Sequence, residues 1–435
     1  MKKIQSIRGM NDFLPKETYL FKIIENYLIN ILENYGYKEI RFPIIEYTSL
    51  FKRTAGEMTD VIQKEMYSFK DKNGDCLSLR PEGTAGCVRA CIENGLFYNN
   101  KNQRLWYIGP MFRHERPQKG RYRQFHQLGI ERFGKNNPET DAELIILIYR
   151  FWKKLNIDKY ILLEINSLGS IKTRLNFIKQ LTIFFSFYKK KIDKKYQKNI
   201  YINPIRLLDS KNKYIKHLLQ KKNFPKKILD KDSYDHFSKL CYFLKKAKVP
   251  FIINKKLVRG LDYYNKTVFE WISNITEMKK TICGGGRYDN LVNIINKKYK
   301  VPAVGCAIGL DRLFILIQNI NSKYIKNNYI YNINNINIYF IYLGKESKKS
   351  FIILSEKIRD FFPKICLITD LVNYNLKKFL KKINKYNIKI LLILNDEDNK
   401  NKLIKIKNFI KGTQEVIKQS YLINKLKKTF NENFK

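Results

Sequence analysis

Apolar residues recur at helical spacing over residues 16–35, and the run stops at Gly36. That periodicity predicts a helix with a glycine stop. Residues 37–47 then read as a strand interrupted by Pro43, which suits a strand edge or a bend. Residues 104–113 and 124–133 read as two strands. The charged stretch between them, 114–123, holds Pro117 and Gly120 and reads as a long hairpin loop. Residues 257–272, 280–282 and 301–308 predict further strands, and 310–320 a helix. The tail alternates strands over 336–343, 365–371 and 388–394 with helices over 350–362 and 376–387. Strand–helix alternation with apolar strands predicts a small α/β domain with a buried, largely parallel sheet.

A chain of 435 residues leaves room for two to four domains, and 44% hydrophobic content excludes wholesale disorder. Lys and Arg number 84 against 39 Asp and Glu, a net charge of +45. A polyanionic partner such as nucleic acid fits that sign best. Codon drift toward Lys, Ile and Asn would produce the same excess without selection. The charge is uneven: net +6 over 1–150, +18 over 151–250, +6 over 251–320 and +15 over 321–435. Glycine gathers in the first and third of these blocks. The pattern predicts a glycine-rich catalytic body, split by a basic insertion and followed by a basic C-terminal domain. The seven cysteines are scattered, with no Cys-x-x-Cys pair, and the four histidines form no ligand pattern. This predicts a reducing compartment and no zinc site. No run approaches the ~18 apolar residues of a spanning helix, so a soluble cytoplasmic protein with no membrane contact is expected.

The chemistry is densest over residues 104–133. On the second strand of the hairpin, Phe125, Gln127, Gly129 and Glu131 share one face, because side chains alternate with period two. An aromatic platform, an amide, a gap and a carboxylate among apolar neighbours need partners, which favours a ligand surface over a solvated one. Arg113, Glu115, Arg116, Lys119, Arg121 and Arg123 follow or fill the loop, where guanidinium forks could grip a polyphosphate. Alone, a basic loop is ordinarily just solvated. Leu79-Arg80-Pro81-Glu82-Gly83-Thr84 is a second polar turn, read plainly as a turn with Thr84 capping a helix. The run Gly284-Gly285-Gly286-Arg287-Tyr288 permits close backbone approach or is only a loop. Arg259, in an apolar strand between Val258 and Gly260, requires an anion from a protein carboxylate or a substrate.

Together with Ile7-Arg8-Gly9-Met10-Asn11-Asp12, Phe112-Arg113-His114-Glu115-Arg116-Pro117, Leu257-Val258-Arg259-Gly260-Leu261-Asp262-Tyr263-Tyr264, Gly284-Gly285-Gly286-Arg287-Tyr288-Asp289 and Gly309-Leu310-Asp311-Arg312, these segments resemble the bacterial histidyl-tRNA synthetases along nearly the whole chain. The resemblance implies an α/β multidomain enzyme. Its class II catalytic body, an antiparallel sheet flanked by helices, would occupy 1–169 and 251–325. A mainly helical insertion near the tRNA acceptor end would occupy 170–250, and an α/β anticodon-binding domain 330–435. It implies a homodimer with an interface around Pro43, ATP with Mg²⁺ as substrate, and L-histidine and tRNA(His) as the other partners.

The resemblance also implies roles residue by residue. Arg113 holds the α-phosphate and the substrate carboxylate, and Arg259 is the catalytic arginine at the same phosphate and also belongs to the histidine site. Glu115 reads the adenine amino group, Phe125 and Arg312 stack on the ring, and Arg121 meets the outer phosphates. Glu82 and Thr84 take the α-amino group, with Gln127 beside the carboxylate. Glu131 and Tyr264 read the imidazole nitrogens, and Tyr263 and Tyr288 line that pocket. Two departures stand out. Asp311 occupies a position where Glu is usual, and Cys306 one where an aromatic is common. The competing readings are a synthetase-like regulatory subunit of ATP phosphoribosyltransferase and a basic RNA-binding scaffold. Arg113, Arg259 and Arg312, all present beside a basic tail, argue against both.

Overall fold

The computed structural model describes residues 3–56, 59, 61–210, 212–221, 224–225, 228–275, 280–320, 335–371 and 387–433. The first helix runs Pro15–Asn34. Proline at the first helical position forfeits no hydrogen bond, and Glu17 reaches back to accept from the Leu14 amide at 3.0 Å. Leu20, Ile24, Leu28 and Leu32 are buried along one face, the i, i+4 stripe of an amphipathic helix. The chain then turns at Gly36, whose φ of +74° glycine adopts without strain.

Strands β1 (Lys38–Glu39), β2 (Ile45–Tyr47), β3 (Ser68–Lys70), β4 (Cys76–Leu79), β5 (Arg104–Phe112), β6 (Gln124–Phe133), β7 (Ile161–Ser167), β8 (Phe251–Ile253), β9 (Asn265–Ser273), β10 (Thr281–Arg287) and β11 (Ala303–Gly309) build two sheets. The larger has the order β1-β5-β6-β11-β10-β9-β7-β8 and the smaller β2-β4-β3. In the larger sheet only the edge pairs β1–β5 and β7–β8 are parallel. The helix Pro138–Lys154 buries Leu144, Ile148, Phe151 and Trp152. Between β7 and β8 the chain is mainly helical, through Ile171–Phe187, Lys194–Ile202, Lys213–Leu218 and Lys231–Lys246. Leu181, Phe185, Ile200, Leu207 and Ile215 give this segment a core of its own.

The chain divides into two units, Met1–Ile320 and Asn321–Lys435. In the second, strands β12 (Asn335–Leu343), β13 (Leu367–Leu371), β14 (Asn387–Asn395), β15 (Leu403–Asn408) and β16 (Thr413–Lys418) follow the order β13-β12-β14-β15-β16. β12 is parallel to β13 and β14, whereas β14, β15 and β16 run antiparallel. The sheet is therefore mixed and not largely parallel. The helix Lys348–Phe361 matches expectation. The helix expected over 376–387 lies outside the described residues, except for Asn387, which opens β14.

Three local expectations are corrected, and one left open between two readings is decided. Residues 37–47 are not one strand: β1 and β2 lie on either side of Pro43 and belong to different sheets. Residues 257–264 are loop, and the strand begins only at Asn265. Arg259 is therefore not a strand residue. The glycine triplet is not a loop but the middle of β10, pairing with β9 and β11. A Cβ on Gly285 would lie 2.3 Å from the Gly305 carbonyl oxygen and one on Gly286 2.5 Å from that of Thr267. Neighbouring strands crowd this line of the sheet so closely that only glycine fits. Last, Thr84 does not cap the helix Thr84–Glu93 but begins it. The N-cap position is Gly83, and the carboxylate of Glu82 just before it accepts from the amides of Thr84 at 2.6 Å and Ala85 at 2.9 Å.

Candidate active site

The β5–β6 hairpin positions most of the site. Its register sets Tyr107 opposite Gly129 and Gly109 opposite Gln127, and the Arg113 amide donates to the Arg123 carbonyl at 2.8 Å across the loop base. A cleft of about 330 Å³ opens beside it, lined by Arg113, Glu115, Arg121, Phe125, Gln127, Arg259 and Arg312, with Glu270, Thr281 and Gly284. Seven of the predicted site residues thus meet in one cavity.

Arg113 donates to the Pro81 carbonyl at 2.9 Å, and its guanidinium lies 5.3 Å from the Phe125 ring centre. Burial lowers its pKa, and Glu65 and Glu82 oppose that. Arg312 donates to the carbonyls of Gly120 and Thr281, both at 2.8 Å. Burial, then Arg113 and Arg121, pull its pKa down to about 10. Glu115 pairs with Arg121. Arg259 pairs with Glu270, which also accepts from the Thr281 hydroxyl at 3.0 Å. The anion that Arg259 requires is here a protein carboxylate. Burial works against the Arg259 charge, but Glu270 and the nearby tyrosines outweigh it, and its pKa is raised. Gln127 Oε1 and Arg259 Nε are buried without a hydrogen-bond partner among the described residues. Two orphaned polar atoms, one acceptor and one donor, fit a cleft made for a polar ligand.

The remaining predicted residues form a second, buried group. Glu131 is fully buried. Its Oε1 accepts from the hydroxyls of Thr84 at 2.9 Å and Tyr107 at 3.0 Å, and its Oε2 from Tyr288. Burial pushes the Glu131 pKa up to about 8, and the three hydroxyl donors act against that rise. The rings of Tyr263 and Tyr264 lie 4.6 Å apart, and Tyr263 is 5.6 Å from Tyr288. Arg259 lies 5.8 Å over Tyr264 and so links this group to the cleft. Gly305 makes room here, because a Cβ on it would stand 1.8 Å from Glu131 Oε2. Asp141 and Arg287, both fully buried, pair beneath the group, with Asp289 and His236 completing the network.

Sequence reasoning did not assign Tyr107, Glu270 or Thr281 to the site. Tyr107 was detectable once the hairpin register was known, because Gly129 leaves a gap opposite it. Glu270 carried no local signal, since it meets Arg259 only through the loop fold. The two departures also resolve. Asp311 accepts from the His126 amide at 2.5 Å, so its shorter side chain ties the helix Leu310–Ile320 to β6 between Phe125 and Gln127. Cys306 lies across from Gly285, where a Cβ would approach the Cys306 Cβ to 2.5 Å.

A mostly antiparallel sheet carrying an arginine-lined cleft, in a chain with a separate α/β unit, defines a class II aminoacyl-tRNA synthetase body. The model for histidyl-tRNA synthetase matches residues 9–313. The histidine–tRNA ligase of Blochmanniella pennsylvanica (strain BPEN) is 51% identical over 98% of this chain and 96% of its own length. The crystal structure of apo histidyl-tRNA synthetase from S. aureus aligns at a TM-score of 0.76 with 29% identity, covering 97% of this chain and 99% of that one. The enzyme from Nostoc sp. PCC 7120 shares the fold at a TM-score of 0.64 and 19% identity, over 98% of this chain and 100% of that one. The chain belongs to the histidyl-tRNA synthetase family, whose members are ligases that use ATP as a substrate. The full-length likeness to a histidine–tRNA ligase does not favour the regulatory-subunit reading. Among the described residues, no helix is long and apolar enough to cross a membrane.

Proposed function

We propose that the chain makes histidyl-tRNA(His) from ATP, L-histidine and tRNA(His), releasing AMP and diphosphate by way of a histidyl-adenylate. One observation carries this reading. The strand β6 runs from Phe125 in the arginine-lined cleft to the hydroxyl-ringed carboxylate of Glu131. Six residues of strand span about 20 Å, room for an adenylate with its amino acid directed at the carboxylate.

The roles are those that the family resemblance implies, laid over the two groups. ATP occupies the cleft, with adenine between Phe125 and Arg312, its amino group at Glu115, and its outer phosphates toward Arg121; Mg²⁺ would enter bound to those phosphates and offset their charge. Histidine lies beyond, with its α-amino group at Glu82 and Thr84 and its carboxylate at Gln127 and Arg113. Its imidazole lies at Glu131 and Tyr264, inside the wall of Tyr263 and Tyr288. A carboxylate oxygen attacks the α-phosphorus while the bond to diphosphate breaks. The nucleophile is already ionised at neutral pH, so no general base is needed. The barrier is the meeting of two anions, and Arg113 and Arg259 lower it as fixed charges that need no reorganisation. A terminal ribose hydroxyl of tRNA then attacks the adenylate carbonyl, and AMP leaves.

ATP–pyrophosphate exchange with purified protein and each of the twenty amino acids tests the reading. Exchange with histidine alone is the expected result. Histidine binding without exchange would overturn it in favour of a regulatory role.

A homodimer is part of the proposal. Ile44, Ile45 and Tyr47 are 41%, 45% and 58% exposed just after Pro43, an apolar row suited to a second copy. Light scattering should give twice the chain mass of 52.0 kDa; a single chain mass at micromolar concentration would rule the dimer out. A cytoplasmic location fits tRNA as substrate and the seven free cysteines.

A further inference from the structure

Tyr107 stands apart from the residues that a substrate would touch, yet the site is built around it. It projects from β5 directly opposite Gly129 of β6. A Cβ on Gly129 would stand 2.0 Å from the Tyr107 Cζ, and one on Gly83 would stand 2.2 Å from its Cε2. Two glycines on separate elements thus form a slot the thickness of a phenol ring. The Phe42 ring closes the slot edge-on at 5.0 Å. The slot directs the buried Tyr107 hydroxyl to Glu131 Oε1 at 3.0 Å.

An ionised carboxylate offers about four lone-pair positions. The hydroxyls of Thr84 and Tyr107 take both on Oε1, and Tyr288 takes one on Oε2. One acceptor position is left, on Oε2. We infer that Tyr107 is a positioning residue for histidine selection: its hydroxyl orients the Glu131 carboxylate, favours its ionised form over the neutral one, and leaves a single acceptor position for a ring N–H.

This rests on the reading of Glu131 as the imidazole reader. The ionisable groups facing Glu131 are Glu82, Cys87, Tyr107, Tyr263, Tyr264, Tyr288 and Cys306. All are neutral or acidic, and Arg259, over the Tyr264 ring, is paired with Glu270, so among the described residues the direct donors to the Glu131 carboxylate are hydroxyls. A hydrogen bond to a charged group contributes about 1.5–3 kcal/mol, which is roughly one to two pKa units.

The test is Tyr107→Phe, which keeps the ring in its slot and removes only the donor. The readout is the ratio of the variant's KM for histidine to the native one across pH, in which the substrate's own titration cancels. Loss of the donor raises the Glu131 pKa. The ratio should therefore be about tenfold or more near pH 7 and shrink toward one as pH rises above about 8, where the native carboxyl ionises. The kcat should change little. A ratio that stays near one, or the same ratio at every pH, would overturn the inference and leave Tyr107 a packing residue. If Tyr107→Phe does not fold, 3-fluorotyrosine at position 107 provides the second test. Its modestly more acidic hydroxyl stays protonated beside a carboxyl of pKa about 8 and donates more strongly, so the KM curve should move to lower pH; no movement overturns the inference. Glu131→Gln separates the two readings: if it leaves the KM for histidine unchanged, the assignment of Glu131 fails first.

Discussion

Arg259→Ala should lower the rate of adenylate formation by about 10²–10³ while leaving the KM for histidine within a few-fold. The guanidinium lies in the cleft, buried to 20% side-chain exposure, and paired with Glu270. Its charge is worth most where negative charge builds on the α-phosphoryl oxygens, that is, in the transition state and not in the bound substrate. Its loss also leaves Glu270 without its cation beside the incoming phosphates, adding repulsion to the missing attraction. Single-turnover adenylate formation, set against equilibrium histidine binding, separates the two. Equal losses in both would mean that Arg259 serves binding alone.

Glu131→Gln should raise the KM for histidine by about 10²-fold or more, with the protein no less stable than before. Two energies of opposite sign decide this. A buried carboxylate built to meet a ring N–H selects strongly, because a partner without that donor leaves it unpaired. Yet the same burial pushes the Glu131 pKa to about 8. A carboxyl with a raised folded-state pKa binds its proton more tightly in the native state than in the unfolded chain. Native stability therefore declines as pH rises from about 4.3, the ordinary Glu value, to about 8. Glutamine removes that penalty and keeps an acceptor for the hydroxyls. Thermal melting at pH 5 and pH 8 should show the native protein losing more midpoint than the variant between the two. A variant melting well below the native protein at pH 8 would make Glu131 a structural residue.

Much of this site was legible in one dimension. Period-two alternation placed Phe125, Gln127, Gly129 and Glu131 on one face of β6, and the structure keeps them there because a strand can do nothing else. The helical stripe ending at Gly36 and the strand–helix alternation of β12 and Lys348–Phe361 were equally local. Each follows from steric rules acting within a few residues.

What the tertiary structure decided lies between segments. Residues 257–264 look like an apolar strand but are loop, which brings Arg259 to Glu270 and sets Tyr263 against Tyr288. The glycine triplet joined the sheet because the β9 and β11 backbones crowd it, a fact absent from its own composition. Asp311 bonds the His126 amide across 185 positions of chain, and Arg287 reaches Asp141 across 146. The amino-acid order by itself determined which side chains share a strand face or a helix stripe, because backbone geometry alone sets that period. Only the folded chain decided which carboxylate meets which guanidinium and which hydroxyls surround Glu131. Those pairings depend on strand register and loop closure, whose free energies are sums over the whole core and not properties of any one segment.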